Sequence, residues 1–196
     1  MKNRILLIII FCSLNFFLTG FSNVQDQFSF NVSEIEVLEN GNKIIGSKRG
    51  EISTGDGIII EANNFVYKKK ENLLNANGKV IIKDKINNYK IFSEDITYQK
   101  NNQKIISKGK TKSEINSRFI LNSTDVEFLR DKKILSSQKN TSIVDSDEET
   151  YLELKNFSFS INDKLLKGEK ILVNLNYNLP QSEKLFFESG IFNFKN

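Results

Sequence analysis

Apolar and polar residues alternate with a period of two along most of the chain, which is typical of β-strands with one buried face. In the segment 74–82, every second residue from Leu74 to Ile82 is apolar or small, and most of the residues between them are polar. Ile, Val, Phe, Tyr and Thr, which favour strands, are frequent, and no segment beyond residue 22 has a helical period. The pattern therefore predicts an all-β protein.

A unit of about 30 residues recurs five times. Each copy has an apolar or aromatic residue, here called the anchor, and successive anchors are 30, 31, 30 and 31 residues apart. An apolar residue lies two positions before each anchor, an aliphatic residue seven positions after it and a small residue nine positions after it. The anchors are Val37, Tyr67, Tyr98, Phe128 and Phe159, preceded by Ile35, Phe65, Ile96, Val126 and Phe157 and followed by the aliphatic residues Ile44, Leu74, Ile105, Leu135 and Leu166. In a sixth, incomplete copy, Phe192 and Phe194 take the place of the apolar pair.

The segment between each anchor and its aliphatic residue is polar and is predicted to be a turn. Most of these segments contain Asn, Gly or Asp, which tolerate turn geometry; they span residues 38–43, 68–73, 99–104, 129–134 and 160–165. Each unit is therefore predicted to be an antiparallel hairpin, and the protein a stack of hairpins.

The alternation changes parity once within several units. Ile58, Ile60 and Ala62 share one parity, whereas Phe65 and Tyr67 share the other. The switch falls at residues 63–64, and it recurs at 94–95, 124–125 and 155–156. A bulge or corner at each switch would bring both halves of a strand onto one interior face, as in jelly rolls and open sandwiches. We therefore expect one continuous apolar interior.

The N-terminus has the pattern of a secretory signal peptide. A basic start, an apolar run and the small residues Gly20 and Ser22 predict cleavage after Ser22. The alternative is an uncleaved membrane anchor, but the apolar run is short for a full span. The predicted division is a signal peptide at 1–22 and one domain at 23–196. The only cysteine, Cys12, lies within the signal peptide, so no disulfide is expected.

The second and third units resemble a known family. The segment Ile58–Asp84 matches, through Ile60, Ala62, Phe65, Tyr67, Leu74, Ala76, Gly78, Val80 and Ile82, the motif of the OstA-like domain. The next unit matches through Ile91, Ser93, Asp95, Ile96, Tyr98, Ile105, Ser107 and Gly109. This domain forms the lipopolysaccharide-transport proteins LptA and LptC and the N-terminal region of LptD. The resemblance covers about residues 30–175, although Asn63 and Asn64 stand where the family often has Asp.

The resemblance implies an open, V-shaped β jelly roll whose apolar groove holds the acyl chains of lipopolysaccharide. It implies a periplasmic protein, possible association with the outer membrane, and either an LptA-like role or that of an LptD N-terminal domain. The expected lining of the groove consists of Ile35, Val37, Ile60, Phe65, Tyr67, Leu74, Val80, Ile82, Ile96, Tyr98, Ile105, Val126, Phe128, Leu135, Phe157, Phe159 and Leu166. Without the resemblance, a closed sandwich core is the simpler interpretation of the same residues.

The first and last strands, 27–37 and 184–194, are expected to leave unpaired edges. Neither has a proline or a dense run of lysines that would block strand addition. We expect these edges to join other domains of the Lpt family, or components of the outer-membrane assembly machinery, end to end. The alternative is a terminal strand covered by its own loop.

The sequence lacks the motifs of common catalytic and metal-binding sites. The sequence has no histidine, which excludes Ser-His and Cys-His catalysis and removes the commonest metal ligand. The segment Gly50–Gly57 is interpreted as a turn, and the acidic segment 145–149 as a solvated turn rather than a calcium site. Asp95 and Asp125 fall at predicted corners, which favours a structural role over glycoside hydrolysis. No enzymatic activity, cofactor or metal site is predicted.

The net charge says little about the partner of the protein. A net charge of +4 and a pI of about 9.0 suit an anionic partner without naming one. Nucleic acid is not expected, because the signal peptide directs the chain to another compartment. The rival hypothesis from a different class is a secreted structural or adhesive β-solenoid, with a closed interior and no bound lipid.

Overall fold

The protein is all-β in the computed structural model, which describes residues 28–194. The predicted signal peptide at 1–22 lies outside the described residues. Two short 3-10 turns, Glu39–Gly41 and Lys100–Asn102, are the helical elements of the described part. Among residues 28–194, no helix has the length and apolarity needed to cross a membrane.

The fourteen strands of the described part belong to one sheet, and every pairing in it is antiparallel. In chain order the strands are β1 (Ser29–Leu38), β2 (Lys43–Ser53), β3 (Ile58–Ala62), β4 (Asn64–Lys68), β5 (Leu73–Asp84), β6 (Tyr89–Gln99), β7 (Lys104–Ile115), β8 (Phe119–Thr124), β9 (Glu127–Leu129), β10 (Ile134–Ser137), β11 (Thr141–Asp145), β12 (Thr150–Ser160), β13 (Leu165–Leu175) and β14 (Glu183–Asn193).

The strands form eleven long arms, because β3 with β4, β8 with β9, and β10 with β11 are consecutive segments of single arms. Each arm between the first and the last pairs with the arm before it and the arm after it, so the sheet is a meander. The turns predicted between anchor and aliphatic residue are confirmed in all five units. The prediction of a turn at Gly50–Gly57 is confirmed only for 54–57, because the first four residues of the segment belong to β2.

The arms bend near their midpoints, where the parity of the sequence changes. Asn63 separates β3 from β4, and Asp125, between β8 and β9, has φ +52°. The pairing shifts register after Ser93 and again at Lys155. These observations confirm the predicted corners. In β5 the bend is formed by Gly78 at φ +81°, where a Cβ atom would lie 2.7 Å from the Asn63 amide nitrogen, so a glycine is needed.

The bends divide the sheet into two layers that face each other. Layer one contains β3, β8 and β11 with residues 29–32, 50–53, 80–84, 89–93, 110–115, 150–154, 171–175 and 183–187. Layer two contains β4, β9 and β10 with residues 34–38, 43–47, 73–77, 95–99, 104–108, 157–160, 165–168 and 190–193. The Tyr89 ring of layer one meets the Phe128 ring of layer two edge to face at 4.7 Å. The layers therefore pack directly on each other in the middle of the molecule.

The pairings also close a ring. Strands β7, β8, β11, β12, β10 and β9 pair in this order, and β9 pairs back to β7, which gives a closed, six-stranded barrel core. The ring surrounds the bends of two arms, where β8 gives way to β9 and β10 to β11. Hydrogen bonds between strands are interrupted at these bends, so side chains must satisfy the backbone groups that the bends release.

Candidate functional site

The interior between the two layers is the candidate site, and the structure places most of the predicted lining residues in it. Fifteen of the seventeen are buried and belong to one core cluster: Ile60, Phe65, Tyr67, Leu74, Val80, Ile82, Ile96, Tyr98, Ile105, Val126, Phe128, Leu135, Phe157, Phe159 and Leu166. The other two, Ile35 and Val37, are 55% and 57% exposed on the edge strand β1. The expectation of one continuous apolar interior is confirmed for the described residues.

The strand register explains the spacing of the anchors and aliphatic residues in the repeat. Each anchor lies directly opposite the aliphatic residue that follows it by seven positions, as Tyr98 does opposite Ile105. Each of these aliphatic residues also lies opposite the next anchor, as Ile105 does opposite Phe128. The alternating pairs form one row across layer two, and Phe192 continues it opposite Leu166. The incomplete sixth copy had Phe194 in the anchor position, so its predicted register was wrong by two residues. One repeat therefore adds two positions to a single interior row.

The small residue of each unit makes room at the bend. In the first four units it lies opposite an apolar residue that precedes an anchor, as Ala76 does opposite Phe65 and Gly46 does opposite Ile35. Gly168 of the fifth unit lies opposite Gly190. A Cβ atom at Gly46 would approach the Phe65 ring to 3.4 Å and a Val32 methyl to 3.3 Å. Small side chains thus allow the two layers to converge at the crease.

The interior is packed rather than empty over the middle arms. The Phe119 ring of layer one lies 5.2 Å from the Phe159 ring of layer two, and both side chains are buried. Shallow concave spaces lie near the bends and include outward-facing residues. One of them, of about 730 Å³, is bordered by Asn122, Ser142, Glu153, Leu172 and Phe186 among others. Acyl chains could occupy the interior only by replacing contacts between the layers.

Among residues 28–194, the large apolar side chains of the inner face that are exposed lie on the two edge strands. Ile35 and Val37 point to this face on β1, opposite Gly46 and Ile44. At the other edge Phe187 lies opposite the buried Ile171 and is 43% exposed. The apolar interior therefore reaches solvent at both edges of the described sheet, because neither edge strand has a neighbour on its far side.

Hydroxyl side chains line the inner side of the bends in the middle arms. Ser107 accepts a hydrogen bond from the Val126 backbone N–H at 2.9 Å and receives another from the Thr111 hydroxyl at 2.7 Å. Ser137 donates to the Thr124 carbonyl, and Ser123 and Thr141 bond to each other at 2.6 Å. These buried hydroxyls satisfy backbone groups that the bends release. The sequence showed Ser107 and Ser137 only as small residues of the repeat.

We expect Ser107→Ala to lower the free energy of unfolding by about 1–3 kcal/mol, because the buried Val126 N–H loses its acceptor. Urea unfolding followed by circular dichroism measures the change. The control is Ser136→Ala on the less buried face of β10, with an expected change within about 0.5 kcal/mol. Equal effects of the two substitutions would contradict this role of the Ser107 hydroxyl.

Acidic side chains complete the corners. Asp125 accepts a hydrogen bond from the Gly109 N–H at 2.8 Å, and Asp95 accepts one from the Asn77 amide. The expected structural role of both carboxylates agrees with these contacts. Among the described residues, no group of three or more His, Cys, Asp or Glu side chains is arranged to hold a metal ion.

A buried ion pair in layer one links the turn before β8 to the end of β11. Arg118 donates to both carboxylate oxygens of Asp145 at 2.7 Å, and Asp145 has no exposed side-chain surface. Asp147 and Glu148 lie 3.4 and 3.7 Å from the same guanidinium. Hydrogen bonding to Asp145 raises the pKa of Arg118 above its ordinary value. The interpretation of 145–149 as a solvated turn was therefore wrong for Asp145, whose partner lies 27 residues away.

A second cluster, around Arg130, joins the two layers. Arg130 lies in the turn after β9 in layer two, and it donates to the Asp56 carboxylate of layer one at 2.7 Å. It also donates to the Tyr98 hydroxyl at 2.7 Å, to Gln103, and to the Tyr89 hydroxyl at 3.4 Å. Burial raises the pKa of Asp56, but hydrogen bonds from Thr54 and Arg130 outweigh it, so the net pKa is below the ordinary value of 3.8. The stability that Asp56 contributes is therefore present above about pH 4 and is lost as the pH falls through its lowered pKa.

Comparison with known proteins assigns the chain to no family. No protein-family model matches the chain, and no curated protein matches it. The functional argument therefore depends on the residues and on their arrangement.

Proposed function

We propose that this protein is a periplasmic lipopolysaccharide-transport protein of the OstA-like type, which holds lipid A acyl chains between its two layers. It would act as an LptA-like bridge or as the N-terminal domain of an LptD, with the open, V-shaped jelly roll as its lipid-bound form. It is not proposed to be an enzyme. The observation that carries the proposal is the apolar inner face, which runs through every arm and is exposed at both edges of the sheet.

The free energy of such binding would come from burial of acyl chains. Each CH₂ group transferred from water to an apolar interior contributes about 0.8 kcal/mol. An interior built from repeated rows has no unique pocket, so it suits a lipid with several chains. The length of the row across layer two, from Val37 to Phe192, would let several chains lie side by side.

Photo-crosslinking of lipopolysaccharide tests the proposal. A photo-reactive phenylalanine is placed at Val37 or Phe187, on the exposed inner face, and in matched controls at the neighbouring Glu36 or Phe186, on the outer face. We expect adducts at the two inner positions and few at the two outer ones. A folded protein without preferential adducts at the inner positions would overturn lipid transport.

A second candidate function is a structural or adhesive β-protein without bound lipid. The observation that favours it is the direct packing of the layers, with Phe65, Tyr98 and Phe128 buried in a continuous core. Absence of adducts in the same experiment is the outcome that this candidate predicts.

The exposed edges are proposed to dock other Lpt-type domains. Leu185 and Phe187 on β14, like Ile35 and Val37 on β1, extend inner rows that another strand could continue. We expect Leu185→Lys to weaken association of the mature chain at high concentration, because it places a charge in the extended row. Sedimentation velocity measures the association, with Ile86→Lys as the control, since Ile86 is exposed in a turn away from both edges. Equal association of the two variants would remove β14 from the docking surface.

A further inference from the structure

Arg130 bridges the two layers on the side opposite the bends. The turn-bearing ends of the layers meet along a line that is here called the mouth. Arg130 comes from the turn at 130–133 in layer two, and Asp56 from the turn at 54–57 in layer one. The two residues are 74 positions apart in the chain, and four arm-to-arm turns of the meander lie between their turns. Their contact therefore joins the layers directly across the mouth.

The guanidinium of Arg130 is bound on both sides of the mouth. On the side of layer one it meets Asp56, the Tyr89 hydroxyl and, at 3.8 Å, the fully buried Asp84 carboxylate. On the side of layer two it is held by the Tyr98 hydroxyl and Gln103. The Arg130 side chain is 8% exposed. It is thus a buried, charged connection between the two layers.

An ion pair at this position has a different consequence from an apolar contact. The cost of removing two charges from water nearly cancels their attraction, so a buried pair adds little net stability compared with apolar residues of similar size. The same pair has demanding geometry, and the attraction between its charges weakens once water raises the local dielectric constant. A contact with these properties suits a junction that has to open without unfolding the layers on either side.

We propose that the Arg130 cluster is a latch, and that the interior takes up its lipid through the mouth when Arg130 separates from Asp56. The ligand class is an amphiphile with several acyl chains, and this inference rests on the proposed function. Asp84 stays in layer one when the latch opens, because it accepts hydrogen bonds from the backbone N–H groups of Ile86 and Asn87. Tyr98 and Gln103 remain bonded to each other within layer two at 3.1 Å. Each side of the open latch therefore keeps internal hydrogen-bond partners.

A reversible covalent lock tests the latch. Asp56→Cys and Arg130→Cys are introduced together with Cys12→Ser, and the pair is joined by a short bismaleimide that contains a reducible disulfide. The matched control joins Arg118→Cys to Asp145→Cys, a buried pair whose two residues belong to the same layer. Two probes are used: fluorescent lipopolysaccharide, and the apolar dye N-phenyl-1-naphthylamine. Circular dichroism verifies that each protein is folded.

We expect the lock across the mouth to slow uptake of both probes by at least about tenfold and reduction to restore it, since a closed state excludes the ligand. The lock within layer one is expected to change uptake by less than about twofold. Uptake of lipopolysaccharide at equal rates with both locks would overturn the latch and leave lipid transport standing. Latch-dependent uptake of the dye without binding of lipopolysaccharide would support the latch and overturn the proposed ligand. Uptake of neither probe by the unlocked protein would overturn both proposals.

Discussion

Replacement of Phe128 by alanine is expected to lower the free energy of unfolding by about 3–5 kcal/mol, because it leaves a cavity where the two layers meet. The Phe128 side chain is 1% exposed, and its ring contacts Tyr89 of the opposite layer. In register it lies between Ile105 and Leu135, so none of its neighbours can move into the space without leaving the interior row. The free energy of unfolding of a folded domain is only about 5–15 kcal/mol, so the expected loss is a large fraction of the total stability.

Urea unfolding measured by circular dichroism gives the change for Phe128→Ala. The matched control is Phe186→Ala, which removes the same side chain from a position that is 76% exposed, with an expected change within about 0.5 kcal/mol. Similar losses in the two variants would mean that the layers do not pack through Phe128.

Replacement of Arg118 by methionine is expected to cost about 3–5 kcal/mol, because it leaves the Asp145 carboxylate buried without its counter-charge. Asp145 has no exposed side-chain surface, and both of its oxygens accept hydrogen bonds from Arg118. Methionine keeps much of the side-chain volume over the Phe119 ring, which Arg118 covers at 4.9 Å, so the loss reports mainly on the charge.

The reciprocal substitution Asp145→Asn is expected to cost less than Arg118→Met. Arg118 keeps the carboxylates of Asp147 and Glu148 nearby and retains some solvent contact, so its positive charge is still partly compensated. Thermal or urea unfolding of the two variants, and of the double variant Arg118→Met with Asp145→Leu, measures the difference. A larger loss for Asp145→Asn than for Arg118→Met would contradict this account of the pair.

The sequence was sufficient to predict the strands, the hairpin turns and the bends. The reason is physical: a strand with one buried face must alternate, and a bend that keeps both halves facing inward must change parity, as at Asn63 and Asp125. The spacing of seven between anchor and aliphatic residue is the length of a hairpin turn that brings the two side chains opposite each other. These are local constraints, and a single sequence records them directly.

The contacts between layers could not be predicted in the same way. Arg130 and Asp56 both lie in turns, where charged residues are normally solvated, and the register across the mouth depends on the twist of the entire sheet. Burial of Asp145 was missed for a related reason, since its partner belongs to a different hairpin. The exposure of Ile35 and Val37 could not be seen either, because their pattern is that of interior residues and only their place on an edge strand leaves them uncovered.

The meander has a consequence for how the chain folds and how it can change in length. Every arm of the described sheet pairs with arms that are adjacent in sequence, so each pairing closes only a short loop and the contact order is low. Folding can therefore begin at any hairpin and spread arm by arm, as in repeat proteins. For the same reason, duplication or deletion of one unit of about 30 residues would lengthen or shorten the sheet without rerouting the chain elsewhere. The number of arms is then a quantity that gene duplication can adjust one unit at a time.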